Sequence, residues 1–457
     1  MTLIPQFGGL VWTIAAFILA LSVIVAIHEY GHYIVGRWSG IHADVFSLGF
    51  GPVLYSRVDR RGTTWQVAAL PFGGFVKFAG DSNAASGKDE AAMAEVEDDP
   101  ERLRATMHGA PLWARTATVA AGPVFNFALS ILVFAGVILT TGVSRDPLTV
   151  GELRPLPVQA EWDTAGKALS DRLQPGDVLV EVDGGAVPST EDSEAYDAFL
   201  DGLPHAPMLS YVVERDGREL NVDGPYLLPP LVNSLSPQSA SMAAGIQQDD
   251  VIIAVDGKPI HAFDQLKTAV EGGNGETLAL TIWRDGDVID VELTPKRVDE
   301  PQPEGGFVTH WRIGIAGGLA FRPATENPGV VEAVGSGFSQ TWRIIEGSLS
   351  GLAHMISGAI STCNLSGPIG IAQTSGAMAS QGAENFIWFI AVLSTAVGLL
   401  NLFPVPALDG GHLVFYAYEA VSGKPPSDKA LRVMMTLGLA TVLTLMLFAL
   451  GNDLFCP

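Results

Sequence analysis

Four stretches of the chain are apolar for long enough to cross a hydrocarbon core of about 30 Å. They run from Val11 to Trp38, Thr116 to Val143, Phe386 to Phe403 and Val433 to Leu450. The third is short and ends at Pro404 and Pro406. Between the first two the pattern changes to β-rich runs, Val45 to Phe50, Pro52 to Val58 and Thr63 to Leu70, separated by glycines and an Arg-Arg-Gly turn. The run FGGFVKF at 72–78 is apolar and aromatic, as a segment lying against a membrane or dipping into it would be. Residues 81–104 are polar and acidic and read as a mobile loop.

The long stretch between the second and third spans contains an internal repeat. LQPGDVLVEVDGGAV at 173–187 returns as IQQDDVIIAVDGKPI at 246–260, 73 residues further on. VVERDGRELNV at 212–222 likewise returns as TIWRDGDVIDV at 281–291. Both copies are small, strand-rich and punctuated by Asp-Gly turns, and Asp249 stands where the first copy has Gly176. After Lys296 the chain is rich in Pro and Gly until Pro328. Phe338, Trp342, Ile345, Leu349 and Leu352 then recur at helical spacing. They predict an amphipathic helix, either lying on the outer membrane face or packed against the repeats. NLSGPIGIAQTSG at 364–376 leads into the third span.

The pattern predicts a polytopic α-helical membrane protein with four transmembrane helices, a membrane-associated β-hairpin or sheet, and two tandem α+β domains. The expected divisions are 1–143 for the first part of the membrane core, 144–225 and 226–298 for the repeats, 299–385 for a connector, and 386–457 for the rest of the core. Composition agrees: of 457 residues 48% are hydrophobic and 16% charged. A net charge of -23 argues against nucleic acid as a partner. With no Lys or Arg before Arg37, the N-terminal run lacks the basic start of a secretory signal and reads as a true span. Basic residues cluster between spans one and two, among them Arg57, Arg60, Arg61 and Lys77, and between spans three and four at Lys424, Lys429 and Arg432. Both termini and the long middle segment are therefore expected outside the cytoplasm. Cys363 and Cys456 then share the outer side, where one bridge can form, and two cysteines exclude a cysteine-built zinc site.

Chemistry enters with His28-Glu29-Tyr30-Gly31-His32, inside the first span. On a helix, residues four apart share a face, so His28 and His32 can grip one Zn²⁺ through neutral imidazoles. Glu29 can take a proton from a water that the ion activates. Ionisable groups in a membrane helix are costly and by default functional. His28 lies nine residues before Arg37, about 13 Å along a helix, so a cavity open to the cytoplasm must bring water to it. Two histidines leave such an ion short of a protein ligand. LNLFPVPALDGGHLVF at 400–415 offers Asp409, with His412 as a nearby alternative. The two prolines break the helix, so that Asn401 and Asp409 can face one centre. Asn126, in the second span, either hydrogen-bonds a neighbouring helix near the candidate site or serves as structural glue, and the second reading is preferred.

HEYGH, AGPVFN at 121–126, GFG at 49–51, SGPIGI at 366–371 and LNLFPVPALDGG together resemble the site-2 protease family of intramembrane zinc metalloproteases. The two repeats resemble circularly permuted PDZ domains, and their place between spans two and three resembles the bacterial RseP (regulator of sigma-E protease) branch of that family. The resemblance covers essentially the whole chain. It implies Zn²⁺ held by His28, His32 and Asp409, with Glu29 as general base and acid. It implies that Asn401 holds substrate or stabilises the oxyanion, and that the strand at Gly49, Phe50 and Gly51 presents substrate in extended form. It further implies an inner-membrane enzyme whose partners are the lipid bilayer and membrane-anchored protein substrates, anti-sigma factors and remnant signal peptides among them. Two other classes stay open on the residues alone: a tether built on the PDZ-like pair, and a metal transporter.

Overall fold

The computed structural model describes residues 3–82, 87–158, 168–190, 192–302 and 306–456. The chain forms two compact units, one of Met1–Val137 with Val330–Pro457 and one of Ile138–Gly329.

The first unit opens with helix α1 (Leu3–Trp38), followed by strands β1 (Ala43–Val58) and β2 (Thr64–Phe78). These two strands make more than a hairpin. Residues 45–48 have 64–67 on one side, Val45 opposite Thr64 and Leu48 opposite Val67, and 74–78 on the other, Phe46 opposite Val76 and Leu48 opposite Gly74. The outer part of β1 crosses 64–68, with Val53 opposite Ala68 and Val58 opposite Thr64. The bend falls at Gly49 and Gly51, whose φ values of 88° and 84° suit glycine and few other residues. A Cβ on Gly49 would also lie 2.8 Å from the Leu70 carbonyl oxygen. One face of the ribbon buries Phe46, Val76 and Phe78 against Tyr33 and Ile41.

The segment expected to be a mobile loop contains two short helices, α2 (Glu90–Val96) and α3 (Pro100–Arg104). Asp89 and Asp99 cap them by accepting two backbone N–H groups each, and Pro100 begins the second. The acidic composition hid these caps; residues 83–86 of that segment lie outside the described residues. Helix α4 (Leu112–Thr141) follows.

The second unit begins with β3 (Val143–Ser144) and β4 (Val150–Leu153). The first repeat then gives β5 (Val178–Val182), β6 (Gly185–Ala186), α5 (Ser193–Asp201), β7 (Met208–Arg215) and β8 (Arg218–Pro225). After β9 (Ser234–Leu235) and α6 (Ala240–Ala243), the second gives β10 (Val251–Val255), β11 (Lys258–Pro259), α7 (Phe263–Gly272), β12 (Leu278–Arg284) and β13 (Asp287–Leu293). The two sheets have the same order, β6-β5-β7-β8 and β11-β10-β12-β13. The likeness extends to single ion pairs. Arg215 donates to both oxygens of Asp177 at 2.6 and 2.7 Å, and Arg284 to both of Asp250 at the same distances. In each copy the aspartate also accepts a backbone N–H three residues back, from Gln174 or Gln247. Asp249 adopts φ 69° where Gly176 has φ 95°, and its carboxylate binds Arg154 at 2.9 Å. The hairpin of β14 (Lys296–Pro301) and β15 (Phe307–Arg312) leads into β16 (Ile315–Ala316), β17 (Phe321–Pro323) and β18 (Thr325–Glu326), which pair with β9, β4 and β3. The start of the expected connector thus returns to the repeats.

The chain re-enters the first unit as α8 (Val330–Ile356), the amphipathic helix. Within the first unit it packs on α4 and leaves part of its apolar face open. Gly337 packs on α4 so closely that a Cβ would lie 2.5 Å from the Ile131 carbonyl oxygen, while Phe338 and Trp342 are exposed. Then come α9 (Pro368–Ser380), α10 (Ala383–Asn401), α11 (Asp409–Ser422) and α12 (Asp428–Phe455). Asp453, near the end of α12, caps α9 by accepting the N–H groups of Gly367, Ile369 and Gly370 at 2.7, 2.9 and 3.1 Å. Beside it Cys363 and Cys456 form the disulfide that the sequence left open. Among the described residues four helices are long and apolar enough to span a membrane, Gly9–Trp38, Leu112–Thr141, Ala383–Asn401 and Lys429–Phe455.

Asp250 is buried and Arg284 half-buried, and removing the arginine strands the buried carboxylate. Arg284→Ala is therefore expected to destabilise the second repeat by about 3 kcal/mol. Hydrogen exchange at the β10 and β12 amides measures the loss.

Candidate metal centre

His28 and His32 lie on α1 where it crosses α4, and small residues make the crossing close. A Cβ on Gly31 would lie 2.6 Å from the Ala121 carbonyl oxygen, and one on Gly122 would lie 2.3 Å from His32 Nε2 and 2.7 Å from His28 Cε1. Both imidazoles therefore rest on bare backbone. Their outer nitrogens are engaged by α4: His32 Nδ1 donates to the Thr118 carbonyl at 2.8 Å, and the Asn126 amide nitrogen lies 3.3 Å from His28 Nδ1. This turns both Nε2 atoms inward, 3.2 Å apart.

The third member arrives from the other end of the chain. After Asn401 closes α10, Pro404 and Pro406 prevent helix, and the chain folds back tightly into α11. Two glycines permit this turn. A Cβ on Gly410 would lie 2.3 Å from the Leu402 and Phe403 carbonyl oxygens, and one on Gly411 2.4 Å from Val405 O and Pro406 Cα. Asp409, the first residue of α11, thereby places Oδ2 3.1 Å from His28 Nε2 and 3.5 Å from His32 Nε2. His412 stays outside this triangle with its ring edge toward Phe415, and burial holds its imidazole below the usual range. Asn401 is half-buried at the end of α10.

The donors fit zinc. Ligand atoms about 2.0–2.1 Å from one tetrahedral ion lie about 3.3 Å from each other, and the three edges here are 3.1, 3.2 and 3.5 Å. Asp409 Oδ2 is buried and receives no hydrogen bond of normal geometry among the described residues. A carboxylate oxygen left so would be costly unless a cation completes it. Two imidazoles and one carboxylate leave a fourth position open, as catalytic zinc sites do.

Glu29 projects from α1 toward the ribbon. Its side chain packs on the second strand: a Cβ on Gly74 would lie 2.9 Å from its Cγ, and the Val76 backbone lies beside its carboxylate. Of the expected substrate-strand residues, Gly49 and Gly51 form the ribbon bend, and Phe50 stacks on Phe75 with centroids 6.0 Å apart. The residues that reach Glu29 are Gly74 and Val76, which the sequence did not single out. Nor did it assign Thr118 and Gly122, and it read Asn126 as glue. The missed signal is the spacing by four of Ala114, Thr118, Gly122, Asn126 and Ser130, small or polar residues along one buried stripe of α4.

Gly122→Ala puts a methyl group into the space of both imidazoles. The expected result is folded protein whose zinc affinity falls at least about tenfold. Competition with a chromogenic chelator on the purified protein measures it.

Comparison with known proteins agrees with this geometry. The profile of Peptidase family M50 matches residues 16–445. A Rhizobium meliloti protein named "Putative zinc metalloprotease R01501" is 36% identical over 449 residues, covering 98% of this chain and 97% of its own. A similarly named Agrobacterium fabrum protein is 33% identical over 456 residues, with 99% and 98% covered. The regulator of sigma-E protease RseP of Salmonella typhimurium is 31% identical over 478 residues, with 97% and 99% covered. With a zinc-shaped donor triangle beside a glutamate, its two histidines on a helix apolar enough to span a membrane, the chain belongs to peptidase family M50, the site-2 proteases, and is a zinc metalloprotease.

Proposed function

We propose that this protease cuts the transmembrane segments of single-span, membrane-anchored proteins, in regulated intramembrane proteolysis. The observation that carries the reading is the position of the ribbon against Glu29. A peptide bond within a transmembrane helix is closed to attack, because its amide is hydrogen-bonded inside the helix. A substrate must unwind before it is cut, and strands beside the catalytic base can repay that cost with main-chain hydrogen bonds. Gly49, Phe50 and Gly51 shape the end of this ribbon and present the extended substrate. Beside Tyr30 a cleft of about 350 Å³, lined by Ile27, Phe46, Leu48 and Trp65, offers apolar side chains a place.

His28, His32 and Asp409 hold the zinc, which supplies the Lewis acidity that activates water and polarises the scissile carbonyl. Glu29 takes the proton of the attacking water and delivers it to the leaving amine. Asn401 steadies the substrate or the developing oxyanion.

The enzyme is an inner-membrane protein in this reading, with termini and repeats on the outer side and the site open to the cytoplasm. The repeats are PDZ-like domains that screen substrates by size or chain end and admit stubs already trimmed outside. The similarity to sigma-E protease regulators supports a membrane-anchored anti-sigma factor as substrate, in an envelope stress response, with remnant signal peptides as a further class.

Cleavage of a model single-span substrate in membranes tests the reading. Glu29→Gln is expected to retain zinc and lose about 10²–10⁴-fold in rate, and a chelator to abolish cutting in the wild type. Equal cutting by the variant would remove Glu29 from the reaction, and no cutting by the wild type would leave a tether or transporter as the better account. Deleting 144–298 is expected to let untrimmed substrate be cut, and unchanged discrimination would remove the screening role.

A further inference from the structure

The stripe on α4 assigns tasks to most of its members. Thr118 receives His32 through its carbonyl, Gly122 makes room for both rings, and the Ser130 hydroxyl donates to Ala391 on α10 at 2.8 Å. Asn126 is left over. It is fully buried, its amide nitrogen lies 3.3 Å from His28 Nδ1, and its Oδ1 meets no donor among the described residues. A buried amide oxygen without a donor is costly. Gluing helices together does not account for it, because the backbone of Asn126 already does that: its carbonyl accepts from Ser394 on α10 at 2.9 Å.

We propose that Asn126 is the positioning residue of His28, its side-chain oxygen accepting the Nδ1–H and so fixing the tautomer and the rotation that present Nε2 to zinc. A ring nitrogen that gives its lone pair to a metal leaves the hydrogen on the other nitrogen. That hydrogen needs an acceptor, which an amide nitrogen is not. The amide oxygen is an acceptor, sits on the same planar group, and has no other partner among the described residues. A half-turn of the carboxamide exchanges oxygen for nitrogen almost without change of shape, and the Ser394 bond to the backbone holds Cα still while it turns. His32 already has such an acceptor in the Thr118 carbonyl. With Asn126, both histidines hang from α4 in the same way, eight residues apart on one helix.

The proposal rests on His28, His32 and Asp409 being the zinc ligands. Its test uses the full-length protein in detergent, with zinc affinity read by chelator competition and site geometry by the visible spectrum of the Co²⁺-substituted form. Asn126→Leu, which removes the acceptor at similar size, is expected to weaken zinc about 10–100-fold and alter the Co²⁺ spectrum. Asn126→Asp keeps an oxygen at Nδ1 and should stay close to wild type in both. Ser394→Ala loosens only the grip on the backbone, so it should lower the thermal midpoint and leave zinc affinity unchanged. The proposal fails if Asn126→Leu binds zinc like wild type, or if the Asp variant loses as much as the Leu variant. Should Asn126→Leu not fold, Asn126→Ala removes the same acceptor and is judged against Asp in the same way. Zinc retained at full affinity by His28→Ala would overturn the ligand reading itself, a different result from either failure.

Discussion

The site depends on how closely α1 approaches α4. At Gly31 and Gly122 nothing larger than hydrogen fits between the helices, so two imidazoles can lie against backbone instead of side chains. In a membrane the hydrophobic effect does little to press helices together, and close packing of small residues with a few interhelical hydrogen bonds does it instead. Here one helix, α4, carries both the groups that aim the two imidazoles and groups that hold helices together. Thr118 O and the Asn126 amide engage outer ring nitrogens, while Ser130 and Ser394 tie α4 to α10.

The far side of the site depends on a break in a helix. Pro404 and Pro406 end the run that starts in α10, and Gly410 and Gly411 let the chain fold onto its own carbonyls. Asp409 is therefore presented from a helix start, and its carboxylate closes a triangle begun about 380 residues earlier in the chain. The ribbon completes the arrangement by setting Gly74 and Val76 beside Glu29. Glu29, the candidate ion site and the ribbon thus converge from four separate parts of one unit. The disulfide and the cap from Asp453 hold α9 to the end of α12, which stabilises a region with little apolar core of its own.

The second unit follows a different logic. Its two copies keep the same sheet order and the same bidentate ion pair, which shows how a small fold conserves its polar anchors. Asp249 shows how it tolerates an exception. Aspartate accepts a left-handed φ better than most residues, and the bond to Arg154 offsets the strain of replacing glycine.

The four spans, the histidine pair with its glutamate, Asp409 and the repeat were all legible in the chain, because each is a property of near neighbours: hydropathy, a spacing of four, a proline break, a recurring Asp-Gly turn. The caps of α2 and α3 were equally local, but acidic composition concealed them. Other features could not be read this way. That Asn126 meets His28 rather than a lipid-side neighbour, that α8 packs through Gly337 on α4, that Gly74 and not Gly49 touches Glu29, and that Cys363 reaches Cys456 all depend on which helix faces cross and at what depth. Hydropathy along one helix fixes that it spans. Only the fit of side chains between helices decides which face meets which neighbour.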